Sequence, residues 1–363
     1  MNNIKTNITS SLAVSHDHKY FATLTRQLSK TSSQWIYRLE HYDYPLQSKL
    51  ESIDIYQTYD TDKHFLTFVP DSEGKVLIAV ATTNNLLFYS TDPLKQVASF
   101  LHQQQNVYDL AASPDGQLTV LVGQSIVMYR NNGFRRIIFP QVIQNARFCD
   151  FSQDGRYMTI ASTGSLNVYT YSRSNDNYQF QQIPLASTSP VQLGAITSAE
   201  FNPNNSSEIL VGFLSASPMF FSMEMQSPDE DKPGGFFKKI FDIQPMSSEN
   251  AKIAKFMPDG SRFYSYDFLN GIGLWPGASG KLAYKEKFLL YDATANADGT
   301  QLIGFVWESI KVVDINNLCS DGNTVQTCTC ASGEAWNFES YSCETLTCLQ
   351  AEFATGVIQN NAC

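Results

Sequence analysis

Six of the seven cysteines in this sequence lie within residues 319–363, where their density gives them the clearest potential for covalent chemistry. An even number of cysteines in so short a segment predicts a small module that disulfide bonds hold together. The candidate disulfide residues are Cys319, Cys328, Cys330, Cys343, Cys348 and Cys363. The seventh, Cys149, stands alone in an apolar stretch, so we expect it to be a small buried core residue.

Zinc binding is the alternative role for the six clustered cysteines. Zinc sites usually contain Cys-x2-Cys pairs or mixtures of Cys and His, whereas the spacings here are x8, x1, x12, x4 and x14 without any His. The spacing therefore favours disulfides, which form in oxidising compartments such as the cell exterior. Asn-x-Ser/Thr sequons make Asn7, Asn204 and Asn205 candidate glycosylation sites, which agrees with that location.

Motifs typical of enzymes and cofactor sites are missing from the sequence. It contains no Gly-x-Ser-x-Gly, P-loop, Rossmann or His-Glu-x-x-His motif, and its five His residues all lie in the first third. Residues 16–18 (His-Asp-His) fit a hairpin turn better than a metal site, and residues 60–62 (Asp-Thr-Asp) fit a solvated loop. The acidic residues 229–231 are expected in an exposed loop. We therefore predict a protein without catalytic, cofactor or metal sites.

Charge and composition narrow the range of partners. Lys and Arg number 25 against 35 Asp and Glu, so the net charge of −10 disfavours nucleic acid and anionic lipid. No apolar run reaches the roughly 18 residues that a membrane-spanning helix requires.

Aromatic residues make up 13% of the chain, which favours β-structure. The first residues lack the apolar segment of a secretory signal, and the final Cys363 leads us to expect a piece of a longer protein.

A repeating unit of four predicted strands runs from residue 8 to about residue 318. In the third unit, an apolar strand at 107–112 leads through Pro114-Asp115-Gly116 into strands at 118–122, 125–129 and 135–139. Asp-Gly suits this turn because both residues tolerate the positive φ of tight hairpins. Equivalent turns recur at residues 16–19, 70–74, 114–116, 153–155, 203–205, 258–260 and 297–299.

The strand spacing and the Pro-Asp-Gly turn resemble those of WD-repeat β-propellers over residues 8–318. The resemblance implies an all-β, seven-bladed β-propeller domain within residues 1–318, whose four-stranded sheets bury their faces against one another. No unit carries Trp-Asp at the end of its third strand, and a count of six or eight blades stays open. The seventh unit has three clear strands, so we expect residues 3–8 to supply its outer strand.

The second predicted domain is the cysteine-rich tail, residues 319–363. Its Cys328-Thr329-Cys330, followed by Gly333, Trp336 and Cys343, resembles growth-factor-receptor-like and epidermal-growth-factor-like modules. That resemblance implies a small, disulfide-rich extracellular module.

These features predict a non-enzymatic, structural protein that binds other proteins outside the cell or at the cell surface. Its partners would be other chains, including copies of itself in a surface assembly or filament. The alternative is an intracellular WD-repeat-like scaffold subunit of a large complex, in which the tail cysteines are reduced or bind zinc. A propeller hydrolase or lyase is the third class to consider.

Overall fold

The computed structural model places the repeat region in antiparallel β-sheets. It describes residues 3–5, 8–15, 19–28, 35–43, 49–57, 65–70, 75–102, 104, 106–131, 133–174, 177–183, 195–214, 218–225, 235–242, 253–260, 262–267, 271–276, 284–286, 292–295, 299–306, 309–314, 334–337 and 342–345. Every regular element among these residues is a strand, so the predicted all-β class is confirmed. This part of the chain has no apolar helix of the length needed to cross a membrane.

The described strands form seven four-stranded antiparallel sheets and one two-stranded sheet. The first strand of the chain is β1 (Asn3–Lys5). Sheet 1 contains β2 (Ile8–Val14), β3 (Tyr20–Leu28), β4 (Trp35–Asp43) and β5 (Lys49–Gln57). Sheet 2 contains β6 (Phe65–Pro70), β7 (Val76–Ala81), β8 (Asn85–Thr91) and β9 (Leu94–Leu101). Sheet 3 contains β10 (Val107–Ala112), β11 (Leu118–Gly123), β12 (Ile126–Arg130) and β13 (Arg135–Ile137).

The remaining sheets continue the same order along the chain. Sheet 4 contains β14 (Ala146–Phe151), β15 (Tyr157–Ser162), β16 (Ser165–Ser174) and β17 (Asn177–Ile183). Sheet 5 contains β18 (Ile196–Asn202), β19 (Asn205–Phe213), β20 (Met219–Met225) and β21 (Gly235–Asp242). Sheet 6 contains β22 (Ile253–Phe256), β23 (Arg262–Asp267), β24 (Gly271–Pro276) and β25 (Tyr284–Glu286). Sheet 7 contains β26 (Asp292–Ala295), β27 (Gln301–Val306), β28 (Ser309–Asp314) and, as its fourth strand, β1.

Sheet 7 combines strands from both ends of the repeat region. Strand β1 runs antiparallel to β28, with Asn3 opposite Lys311 and Lys5 opposite Ser309. This pairing gives β28 a neighbour on the edge that three consecutive strands would leave open.

The hydrophobic cores lie between consecutive sheets. In β7, Ile78 and Val80 pack against sheet 1, whereas Ala79 and Ala81 pack against sheet 3. Successive side chains of a strand point to opposite faces, so a strand buried on both faces has an unbroken apolar sequence. Further cores join sheets 3 and 4, 4 and 5, 5 and 6, and 6 and 7. The arrangement is compatible with a propeller-like fold.

In sheets 3, 4 and 6, the turns between the first and second strands use the predicted Asp-Gly sequences. Gly116 has a φ of 66°, a conformation that residues with a β-carbon rarely adopt. The Ser113 hydroxyl donates to Asp115 Oδ1 at 2.5 Å and accepts the N–H of Leu118 at 2.9 Å. Sheet 4 repeats this network around Ser152. The serine two residues before the Asp is therefore part of the turn, a feature that the Asp-Gly pattern alone does not include.

The tail contributes one described hairpin, formed by β29 (Glu334–Asn337) and β30 (Ser342–Thr345). Of the six candidate disulfide residues, Cys343 lies in β30, opposite Trp336. The other five candidates fall outside the described residues: Cys319, Cys328, Cys330, Cys348 and Cys363. The disulfides, and the domain boundary at residue 318, stay predictions.

Candidate functional site

The hairpin turns between first and second strands lie side by side at one end of the sheets. Asn204 Nδ2 of sheet 5 donates to the carbonyl of Asp259 in sheet 6. Arg262 Nη2 of sheet 6 donates to the carbonyl of Gly299 in sheet 7 at 3.0 Å. We call this end the turn face and define it by its described turn residues. They are residues 113–117, 152–156, 202–205, 257–260 and 299–300.

The opposite end holds the turns between second and third strands and the connections from each sheet to the next. Gln104 precedes sheet 3, and its side-chain oxygen accepts the N–H of Ser125, in the second turn of that sheet, at 3.0 Å. The N–H of Leu214 donates to the carbonyl of Ala195 at 2.8 Å. We call this end the loop face and define it by its described residues. They are residues 82–84, 101, 102, 104, 106, 124–125, 138–145, 163–164, 195 and 214.

The loop face carries no Asp, Glu, Lys or Arg among these described residues. Its one ionisable side chain, His102, is buried, and burial lowers its pKa so that it stays neutral. Four large apolar side chains are exposed there instead, namely Leu101 (70%), Ile138 (87%), Val142 (91%) and Leu214 (46%). The polar residues in the same set are uncharged, mainly Gln, Asn and Thr.

The turn face differs sharply in charge. Asp154 Oδ2 pairs with Arg156 Nε at 2.5 Å, and Asp259 Oδ2 lies 3.6 Å from Arg262 Nη2. Asp115 is exposed at the equivalent turn of sheet 3. The described residues of the turn face therefore include ion pairs, whereas those of the loop face are uncharged and partly apolar.

A cavity of about 310 Å³ lies among the first strands of the sheets. Its lining includes, in six of the seven sheets, the residue four positions before the Asp or Asn of the first turn. These residues are Ala13, Thr67, Asp150, Glu200, Lys255 and Thr294. The charged members come from three consecutive sheets, so the charge lies on one side of the cavity.

The polar side chains of the first strands hydrogen-bond to the backbone of the next sheet. Asp109 Oδ2 accepts the N–H of Cys149 at 3.0 Å, and Ser198 Oγ accepts the N–H of Ala254 at 2.9 Å. Each first strand is the edge of its own sheet, so its outward N–H groups have no partner within that sheet. A side-chain acceptor from the preceding sheet satisfies them, because an unpaired buried N–H would be costly.

The charged cavity residues make bonds of the same kind. Asp150 Oδ2 accepts the N–H of Phe201 at 2.9 Å, and Glu200 Oε2 accepts that of Phe256 at 2.8 Å. Lys255 Nζ donates to the carbonyl of Ala293 at 3.2 Å. These three residues thus link sheets 4, 5, 6 and 7 in sequence, which identifies sheet-to-sheet attachment as a role for them.

Burial perturbs the two cavity carboxyl groups. It raises the pKa of Asp150 well above its usual range, and the neighbouring Glu200 adds to the effect. Burial also raises the pKa of Glu200 to about 7, although the positive charge of Lys255 opposes the shift. Glu200 therefore changes its protonation near neutral pH.

Cys149 is buried in the core between sheets 3 and 4, which confirms its predicted place. Burial raises the pKa of its thiol well above the ordinary value, and the nearby Asp109 and Asp150 carboxylates add to the rise. Such a thiol is a poor nucleophile because it holds little thiolate. Across the described residues, no three His, Cys, Asp or Glu side chains come together as metal ligands do.

Asn204 and Asn205 are the predicted site residues whose surroundings the structure describes most fully, and both are exposed on or beside the turn between β18 and β19. Asn7, and the motifs at residues 16–18, 60–62 and 229–231, lie outside the described residues. The sequence analysis missed the cavity residues Asp150, Glu200 and Lys255. The signal available in the sequence was a charged residue in three consecutive first strands, four positions before the Asp or Asn of the turn.

Two comparisons with known proteins, one by family and one by sequence, gave no match. No protein-family model matches the chain, and no characterised protein matches its sequence. The similarity to WD-repeat and cysteine-rich extracellular modules therefore rests on the residues quoted above.

Proposed function

We propose that this chain is a non-enzymatic docking protein of the cell surface or cell exterior, and that its seven sheets form a closed seven-bladed propeller. Two observations support the closed ring. Strand β1 adds to β28 in the last sheet, and β2 of the first sheet lies against β26 of the last. A closed ring would cover the outer faces of the first and last sheets, which an open arc leaves exposed to water.

The uncharged loop face is the observation that carries the docking proposal. The centres of protein–protein interfaces are depleted in charged residues, and large apolar side chains contribute much of their binding energy. Soluble proteins rarely gather exposed apolar side chains on one surface without a partner. Ile138 and Val142 lie only four residues apart, and each exposes more than four fifths of its surface.

The cavity favours a scaffold over an enzyme. Asp150, Glu200 and Lys255 each bond to the backbone of the next sheet, so they stabilise the attachment of one sheet to another. A catalytic carboxyl needs access to the substrate proton that it transfers. The hydrogen bonds of Asp150, Glu200 and Lys255 direct these side chains to the protein backbone instead.

The partner that we propose is another protein chain with a surface low in charge. The net charge of −10 opposes a strongly acidic partner, whereas the described residues of the loop face offer no charge to attract a basic one. Apolar contact, supported by Gln and Asn hydrogen bonds, is what this face can provide.

The experiment is to place a charge on the loop face and measure binding in the native assembly. Ile138→Glu and Val142→Glu should each reduce assembly at least tenfold, because a carboxylate would be desolvated at the interface. Val97→Glu is the matched control, since Val97 is also exposed but lies on the outer strand β9, away from the loop face. Equal assembly of all three variants, with unchanged melting, would refute docking through the loop face.

A further inference from the structure

Two overlapping glycosylation sequons occupy the turn between β18 and β19. Asn204 forms one with Ser206, and Asn205 forms the other with Ser207. The sequence gives no reason to prefer either. The hydrogen bonds at this turn distinguish them.

The first sequon is used to hold three sheets together. Asn204 Nδ2, the atom that would carry the sugar, donates to the carbonyl of Asp259 in sheet 6. The Ser206 hydroxyl bonds to the carboxylate of Asp154 in sheet 4. A β-carbon on Gly260 would lie 3.2 Å from that of Asn204, so the two turns are closely packed. A sugar on Asn204 would have to enter this contact.

The acceptor asparagine of the second sequon faces solvent. Asn205 is exposed, and its Oδ1 accepts the N–H of Ser207 at 3.1 Å. This bond uses the side-chain oxygen and not the nitrogen that would carry the sugar. A sugar attached there would extend into water without breaking a contact between sheets.

We propose that Asn205 is an N-glycosylation site and that Asn204 is not. The donor is an oligosaccharide linked through its anomeric carbon to a lipid diphosphate. The Asn205 Nδ2 forms the new bond to that carbon while the bond from the carbon to the diphosphate breaks. The nitrogen loses one proton, and the lipid diphosphate leaves with the electron pair.

This site extends the proposed docking function, because it rests on the proposed extracellular location. The turn between β18 and β19 belongs to the turn face, opposite the loop face. A bulky, hydrated glycan there would keep partners away from the turn face while leaving the loop face free.

The test is to express the chain in eukaryotic cells with an added secretory signal and a C-terminal tag that carries an unrelated sequon. The tag sequon reports passage through the glycosylating compartment. Ser206→Ala removes only the Asn204 sequon, and Ser207→Ala removes only the Asn205 sequon, so both asparagines remain. Enzymatic removal of the glycan converts the acceptor Asn to Asp, which peptide mass spectrometry locates.

The proposal expects the modification at residue 205 in the parent chain and in Ser206→Ala. It expects loss of the modification at this turn in Ser207→Ala and in Asn205→Gln. An occupied tag sequon together with an unmodified Asn205 would overturn it. So would a folded Ser207→Ala protein that carries the glycan on Asn204 and is secreted as well as the parent.

The same peptide analysis on the native protein tests the extracellular location separately from the choice of glycosylated residue. A glycan on the secreted recombinant chain but not on the native chain would place the native protein inside the cell and leave the assigned site correct. Loss of docking in the loop-face variants is an independent result, because those variants leave this turn unchanged.

Discussion

The buried carboxyl of Glu200 predicts a specific dependence of stability on pH. Its pKa is raised from the ordinary 4.5 to about 7 in the folded chain. Between these values the folded state keeps a proton that the unfolded state has released. Stability therefore falls as pH rises through this range, since the unfolded state binds fewer protons. A shift of this size corresponds to a loss of about 2–3 kcal/mol between pH 5 and pH 8.

Glu200→Gln should remove this contribution. The neutral amide keeps an oxygen that can accept the N–H of Phe256, so the bond between sheets 5 and 6 can persist. We expect the variant to gain about 2–3 kcal/mol over the parent chain on going from pH 5 to pH 8. The difference between the two proteins cancels the titration of groups that do not interact with Glu200, such as the buried His41, whose pKa burial lowers.

The assay is equilibrium unfolding in denaturant at pH 5, 6, 7 and 8, followed by circular dichroism and by fluorescence. Glu208→Gln is the matched control, because it removes a carboxylate from the same part of the chain but outside the cavity lining. If the stability difference between Glu200→Gln and the parent does not change from pH 5 to pH 8, the reasoning about burial at this position is wrong.

The turns, the first strand and the tail give three further predictions. Gly116→Ala should destabilise the fold by about 3 kcal/mol or more, because it combines a positive φ with a clash against the Pro70 carbonyl. Gly133→Ala is the control and should cost about 1 kcal/mol, since its β-carbon would meet no neighbour. Similar unfolding midpoints in denaturant for the two variants would contradict this prediction. Deletion of residues 1–5 should lower the melting temperature by several degrees, since it removes the partner of β28, and unchanged melting would count against a structural role for β1. Intact mass should rise by about 6 Da on reduction if the tail holds three disulfides, whereas bound zinc without a mass change would indicate the intracellular alternative.

The repeat pattern predicted more of the fold than of the functional surface. Asp115-Gly116 and Asp259-Gly260 both occupy turns between first and second strands, where a local conformational requirement selects the residues. The second strands were equally easy to recognise in the sequence, because strands such as β7 are buried on both faces and therefore form unbroken apolar runs. Outer strands such as β9 (Leu94–Leu101) are largely exposed, so their sequence carries little periodic signal.

The candidate site depended on contacts between distant parts of the chain. Glu200 and Lys255 meet at the cavity only because their sheets are neighbours, although their equal distance from the turn was readable in the sequence. The loop face was harder to predict. Leu101 and Leu214 look like isolated loop residues until the topology places their connections at one end of the sheets.

Hydrogen–deuterium exchange on the native assembly tests docking through the loop face most directly, because it needs no substitution. Exchange in the assembled protein is compared with exchange in the same chain after dissociation. The account predicts slower exchange on assembly at residues 138–145, with unchanged exchange at residues 113–117 of the turn face. Protection confined to the turn face, with no change at residues 138–145, would contradict it.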